Sequence, residues 1–195
     1  MKTTKSVVIA LALLVLVAAL YRVFPNRPWG FTPQYAMAIF SGAVFIKNKQ
    51  WAFALPVLSM FLGDLFYELL YNAHLTNTPG FYEGQWQNYV LFTILTAMGF
   101  LLKKINVLNV LVVSVLAPCV FFIASNFVVW AGWQGTRGLG RPKTFEGLMM
   151  AYTDAIPFTF PGGIYSTVLF SAILFGGYFL IKRNQTQQEG SKHFV

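Results

Sequence analysis

The stretch SMFLGDLFYELLY, Ser59–Tyr71, is apolar enough to lie in a membrane, yet it carries two acids one helical turn apart, Asp64 and Glu68. An ionised carboxylate in hydrocarbon costs about 2.5–3.5 kcal/mol even on lenient insertion scales. Upstream, the run continues without a charge back to Trp51. Trp51–Tyr71 therefore reads as one helix, at the ~20 residues needed to cross a bilayer core. With Trp51 at the inner end, a rise of 1.5 Å per residue puts Asp64 about 20 Å and Glu68 about 26 Å along it. Both acids then fall in the outer third, where the penalty is smaller.

The rest of the chain repeats this pattern. Of 195 residues, 56% are hydrophobic, 17% aromatic and only 10% charged, against about 25% charged in a soluble domain. Long apolar runs separated by short polar breaks mark a polytopic membrane protein. Residues 1–183 read as one transmembrane domain, and 184–195 as a disordered cytoplasmic tail. The net charge of +8 does not point to nucleic acid, because the basic residues sit between apolar runs and not on a soluble face. The single cysteine, Cys119, excludes an internal disulfide, and His74 and His193 are too far apart to suggest a metal site.

Six apolar segments define the expected fold, at about 7–24, 33–47, 51–72, 87–103, 107–130 and 162–181. This is an all-α membrane protein, a compact bundle of six transmembrane helices with a long, partly helical outer loop between helices five and six. With the N-terminus inside, the inner segments hold Lys2, Lys5, Lys47, Lys49, Lys103, Lys104, Lys182, Arg183 and Lys192. The outer segments hold only Arg22, Arg27, Arg137, Arg141 and Lys143. The positive-inside rule then places both termini in the cytoplasm.

Polar and aromatic residues gather at the outer end. Asp64, Tyr67, Glu68 and Tyr71 form one helical stripe, at i, i+3, i+4 and i+7. On the fifth helix Phe122, Asn126 and Trp130 recur every four residues, beside Ser125. After Ala131 the connection is too long for a plain loop. Its GWQGTRGLGRPK portion is glycine-rich and basic. In the following TFEGLMMAYTDAIPF, Thr144 is an N-cap for a short amphipathic helix that ends near Pro157 and carries Tyr152 and Asp154. The first outer loop, YRVFPNRPWGFTPQY, is rich in Pro, Arg and aromatics, whereas inner connections such as KNKQ are minimal turns.

Aromatic walls with a few convergent polar groups are what a small-molecule site needs. The candidate ligand-binding residues are Asp64, Glu68, Asn126, Trp130, Tyr152 and Asp154, with Arg22 and Arg27 as charge partners. Two readings of the acids stand side by side. Arg22 or Arg27 clamps them permanently, or a solute from outside engages them. Asn126 is equally a helix–helix hydrogen bond, and Ala38 with Gly42 is a small-xxx-small pair suited to close helix packing. HExxH, GxSxG and a phosphate-binding glycine loop are all missing, so neither an enzyme nor a cofactor is expected.

The segments RPWGFTPQYAMAIFSGAVF, LPVLSMFLGDLFYE, SNFVVWAGW and TFEGLMMAYTDAIPF resemble an uncharacterised family of small bacterial membrane proteins, over roughly Arg22–Tyr178. The layout is similar to the S-components of energy-coupling factor transporters, six-helix proteins that capture vitamins or related micronutrients from outside. The resemblance implies residence in the bacterial inner membrane, a small-molecule solute, and an energising transmembrane subunit with ATPases or solitary action. Helix one carries Ala10, Ala12, Ala18 and Ala19, but lacks the Ala-x-x-x-Ala contact motif of many S-components. The competing expectation is a non-transporting scaffold subunit of an envelope complex.

Overall fold

Lys49–Asn72 folds as one continuous helix that accommodates Pro56. A computed structural model describes residues 5–132 and 137–192 of the chain. Its helices are α1 (Lys5–Arg22), α2 (Gln34–Val44), α3 (Lys49–Asn72), α4 (Gln85–Phe100), α5 (Val107–Ala131), α6 (Phe145–Thr159) and α7 (Gly162–Lys192), with a one-turn 3-10 helix at Arg137–Gly140 before α6. Among the described residues there is no strand. Trp133, in the glycine-rich stretch after Ala131, lies outside them.

Among the described residues, three segments are long and apolar enough to cross a membrane: Lys49–Asn72, Val107–Ala131 and Gly162–Arg183. Their outward faces carry exposed apolar side chains, such as Leu116, Ile123 and Phe127 on α5 and Leu169 and Ile173 on α7. In water such faces would need covering, while in lipid they need nothing. Beyond Arg183, α7 runs on to Lys192, where the polar sequence from Asn184 predicts disorder. Extending an existing helix through Gln, Glu and Lys avoids the nucleation cost that makes short polar helices unstable.

The second apolar segment differs most from expectation. α2 has 11 residues, a length of about 16 Å, roughly half of a 30 Å hydrocarbon core. Every residue from Gln34 to Ala43 is buried, and α3, α4, α5 and α7 pack around it. A helix enclosed on all sides is apolar for the sake of protein neighbours, not lipid. Its closest approach is to α4, where a Cβ on Gly99 would come within 2.9 Å of the Gly42 Cα and one on Gly42 within 3.0 Å of the Gly99 Cα. Glycine at both positions lets these backbones touch, so small residues set the interhelical distance here. Tyr35, Ile39, Phe92, Leu95 and Phe175 fill the core around this seam. Leu11, Val15, Met37 and Leu55 fill a second core, between α1, α2 and α3.

α6 joins α5 to α7, as the partly helical connection predicts. The Thr144 hydroxyl accepts a 3.2 Å hydrogen bond from the Gly147 N–H and caps it. The helix passes through Pro157 and ends two residues later than the sequence suggests, at Thr159.

Candidate functional site

Arg22 ends α1, where a cation is favoured by the helix dipole. Its side chain crosses α3 at Gly63, where a Cβ would lie 2.8 Å from the Arg22 Cδ. Beyond that gap the guanidinium pairs with the Asp64 carboxylate and donates to the Met60 carbonyl at 3.0 Å. Asp64 is fully buried. It also accepts hydrogen bonds from Gln85 Nε2 at 2.7 Å and the Tyr89 hydroxyl at 2.5 Å. Tyr67 donates to the Arg22 carbonyl at 3.1 Å, and its ring lies 5.7 Å from the guanidinium. A buried ion pair is tolerated when its polar atoms find partners; here Gln85 and Tyr89 both take Oδ2, and Oδ1 has only the guanidinium. Asp64 and Arg22 thereby tie together α1, α3 and α4.

The other candidates act as fastenings. Glu68 accepts from the backbone N–H groups of Gly80 and Phe81, at 3.0 and 3.1 Å, and straps the α3–α4 loop to α3. Asn126 donates to the Phe122 carbonyl within its own helix at 2.8 Å. Trp130 Nε1 donates to the Pro142 carbonyl at 2.9 Å, and Lys143 lies 5.1 Å from the indole centroid. Tyr152 donates to the Ile123 carbonyl at 3.1 Å and holds α6 against α5. Burial raises its pKa above the ordinary tyrosine value. Asp154 pairs with Arg141 in an exposed contact, with side chains 53% and 31% accessible. The six predicted residues thus form two separate groups. Asp64 and Glu68 lie on α3, and the other four lie on α5 and α6.

A cavity of about 300 Å³ opens among the helices, and none of these six residues lines it. Both predicted charge partners, Arg22 and Arg27, line it, together with the amides Gln34 and Asn88. On its deeper side three lining rings meet. Tyr35 stacks on Phe92 at 5.7 Å, and Phe121 lies 5.1 Å from Tyr35 and 5.2 Å from Phe92. Toward the loop between α1 and α2, Trp29 meets Phe158 edge-on at 4.9 Å, and both line the cavity. Gly30, at φ +69°, sets this loop so tightly on α6 that a Cβ there would come within 2.9 Å of the Phe158 carbonyl oxygen. A second cavity of about 470 Å³ lies between the same loop and the end of α3, and Arg27, Trp29 and Gly30 line both.

The two arginines are not equivalent. Arg22 is neutralised by Asp64, whereas Arg27 donates to the Phe31 carbonyl at 3.0 Å and has no carboxylate partner among the described residues. The inner cavity therefore carries one uncompensated positive charge amid aromatic walls. Among the described residues no group of three or more His, Cys, Asp or Glu is arranged to hold a metal ion.

The helical fold, with three segments able to cross a membrane and a polar–aromatic cavity among its helices, defines a multi-helix membrane protein. The chain belongs to DUF6580, a family of unknown function that it matches over residues 2–189. Neither a curated protein nor a solved structure matches it.

In the sequence Gln34 and Tyr35 stand where the proline–aromatic run enters the second apolar segment, with no role assigned to them, and nothing marks Asn88, Phe92 or Phe121 as lining residues. The two phenylalanines look like any lipid-facing aromatic. The one usable signal was the proline–aromatic run RPWGFTPQY, which supplies Arg27, Trp29, Gln34 and Tyr35.

Proposed function

We propose that this protein spans the bacterial cytoplasmic membrane with α1, α2, α3, α4, α5 and α7, with both termini inside, and binds a small anionic solute from the external side. In this reading α2 crosses within the cover of its neighbours, and α6 with the first loop covers the outer mouth. The observation that carries the reading is the 300 Å³ cavity, with Arg27 uncompensated among the rings of Trp29, Tyr35, Phe92, Phe121 and Phe158. A guanidinium recognises a carboxylate or phosphate by paired hydrogen bonds. Aromatic faces supply stacking and shape, and sites of about 300 Å³ suit small molecules.

In this reading the protein works as an S-component-like uptake protein for a vitamin or micronutrient, acting alone or with an energising transmembrane subunit and its ATPases. Binding and passage leave the solute chemically unchanged. The test is native mass spectrometry and thermal shift on the purified protein with a metabolite mixture. A retained anion that is lost on Arg27→Gln but kept on Asp154→Asn supports the reading.

A second reading, a scaffold subunit that docks another protein, draws on the outer end. There Trp29 and Phe145 are 72% and 77% exposed and Leu75 is 74% exposed. Co-purification of a stoichiometric partner, lost on Phe145→Ser, with no metabolite retained in either form, favours the scaffold.

A further inference from the structure

A separate feature lies at the opposite end of the bundle. α1 packs along α3, and among the described residues its backbone makes no extended contact with α7. At the outer end the gap between α1 and α7 is shut by three rings. Tyr21 lies 5.6 Å from Phe170, Phe31 lies 5.8 Å from Phe170, and Tyr21 and Phe31 are 6.2 Å apart. Below this plug the gap opens into an apolar groove of about 480 Å³. Leu11 and Leu14 of α1 form one wall, Ile173 and Gly177 of α7 the other, and Phe40 and Val44 of α2 the floor.

Lys182 stands at the inner end of this groove. Arg183 follows it, and Lys47 comes two residues after Phe45, another lining residue. From Ile173 to Lys182 the groove wall is about 14 Å long, the depth of one leaflet of a 30 Å core. A transmembrane helix of a partner needs the full thickness, and the aromatic plug denies it that. A single acyl chain needs only one leaflet.

The geometry points to a binding site for one anionic phospholipid of the inner leaflet, its acyl chain in the α1–α7 groove and its phosphate at Lys182. The groove supplies apolar contact along the chain, and the cation supplies selectivity for an anionic headgroup. This site is independent of the outer cavity and of whatever solute that cavity holds.

Gly177 offers a direct way to close it. A Cβ there meets nothing within 4 Å, so a larger side chain enters the groove without displacing the fold. The full chain is purified in a mild detergent and titrated with phosphatidylglycerol or with phosphatidylcholine of matched chains, with bound lipid read by native mass spectrometry. One phosphatidylglycerol is expected to be retained at least fivefold over phosphatidylcholine. Gly177→Leu lowers that retention fivefold or more, while Gly177→Ala leaves it near wild type. Lys182→Gln removes the preference between the two lipids. If Gly177→Leu fails to fold, Ala10→Leu blocks the same groove from the α1 wall.

Equal retention of the two lipids overturns the proposal, as does retention indifferent to both blocking variants. Disulfide crosslinking between two copies of Gly177→Cys in membranes also overturns it and assigns the groove to a second copy of the chain.

Discussion

Removing either side of the Arg22–Asp64 pair should cost more than removing both. Breaking a buried ion pair by deleting one partner costs about 3–5 kcal/mol, because the other charge is left uncompensated. The Arg22 side chain is 20% accessible and that of Asp64 1%. Arg22 left alone by Asp64→Leu can reach water, which puts that variant near the lower end, about 3 kcal/mol. Asp64 left alone by Arg22→Met cannot, which puts that variant near the upper end, about 5 kcal/mol. In the double variant no charge is stranded. The remaining loss is the acceptor for Gln85 and Tyr89, at about 1 kcal/mol each. The double variant should therefore be more stable than either single one, with a coupling of at least about 3 kcal/mol. Reversible unfolding in mixed micelles, titrated with a denaturing detergent, measures all four corners of this cycle. Single-variant costs that simply add, within about 0.5 kcal/mol, would refute the assignment of Asp64 and Arg22 as a closed structural pair.

Three further outcomes follow from the same geometry. Gly99→Leu drives a side chain into the α2 backbone and should cost at least about 3 kcal/mol, the upper range for overpacking. It is read as loss of the folded monomer on size exclusion and a lowered melting temperature. Thr144→Ala removes the cap of α6 and should cost about 1 kcal/mol, seen as faster proteolysis within Phe145–Thr159 with little change in global unfolding. Asp154→Asn breaks an exposed pair and should change stability by less than about 1 kcal/mol. A large effect in the same thermal assay would mean that this acid does more than pair with Arg141.

Much of the helical layout was legible because long apolar runs leave few alternatives. The run read as Trp51–Tyr71 forms Lys49–Asn72, and 107–130 forms Val107–Ala131. Thr144 was legible as a cap because capping is local chemistry. α2 was not legible as the buried centre. Apolar residues facing lipid and apolar residues facing protein look the same in a sequence, and only the packing around Gly42 separates them.

The site shows the same division. Periodicity puts Asp64, Tyr67, Glu68 and Tyr71 on one stripe of α3; Asp64 and Tyr67 turn to Arg22, Glu68 turns to the loop at Gly80, and Tyr71 is exposed. Which arginine takes Asp64 depends on Gly63 leaving room for its side chain, a tertiary fact. Phe92 and Phe121 become cavity walls only when α4 and α5 meet around Tyr35, so no local motif announces them.

The charge left on Arg27 is the centre of the functional account. Its most direct test compares binding of an aromatic carboxylate, indole-3-acetate, with its neutral isostere indole-3-acetamide, on wild type and on Arg27→Gln. A hydrogen-bonded charge of this kind is worth about 1.5–3 kcal/mol, about 10- to 150-fold in affinity. Wild type should prefer the carboxylate by at least tenfold, and Arg27→Gln should lose that preference while keeping its thermal stability. Equal affinity for the two compounds in wild type, or a preference that survives Arg27→Gln, would contradict the account.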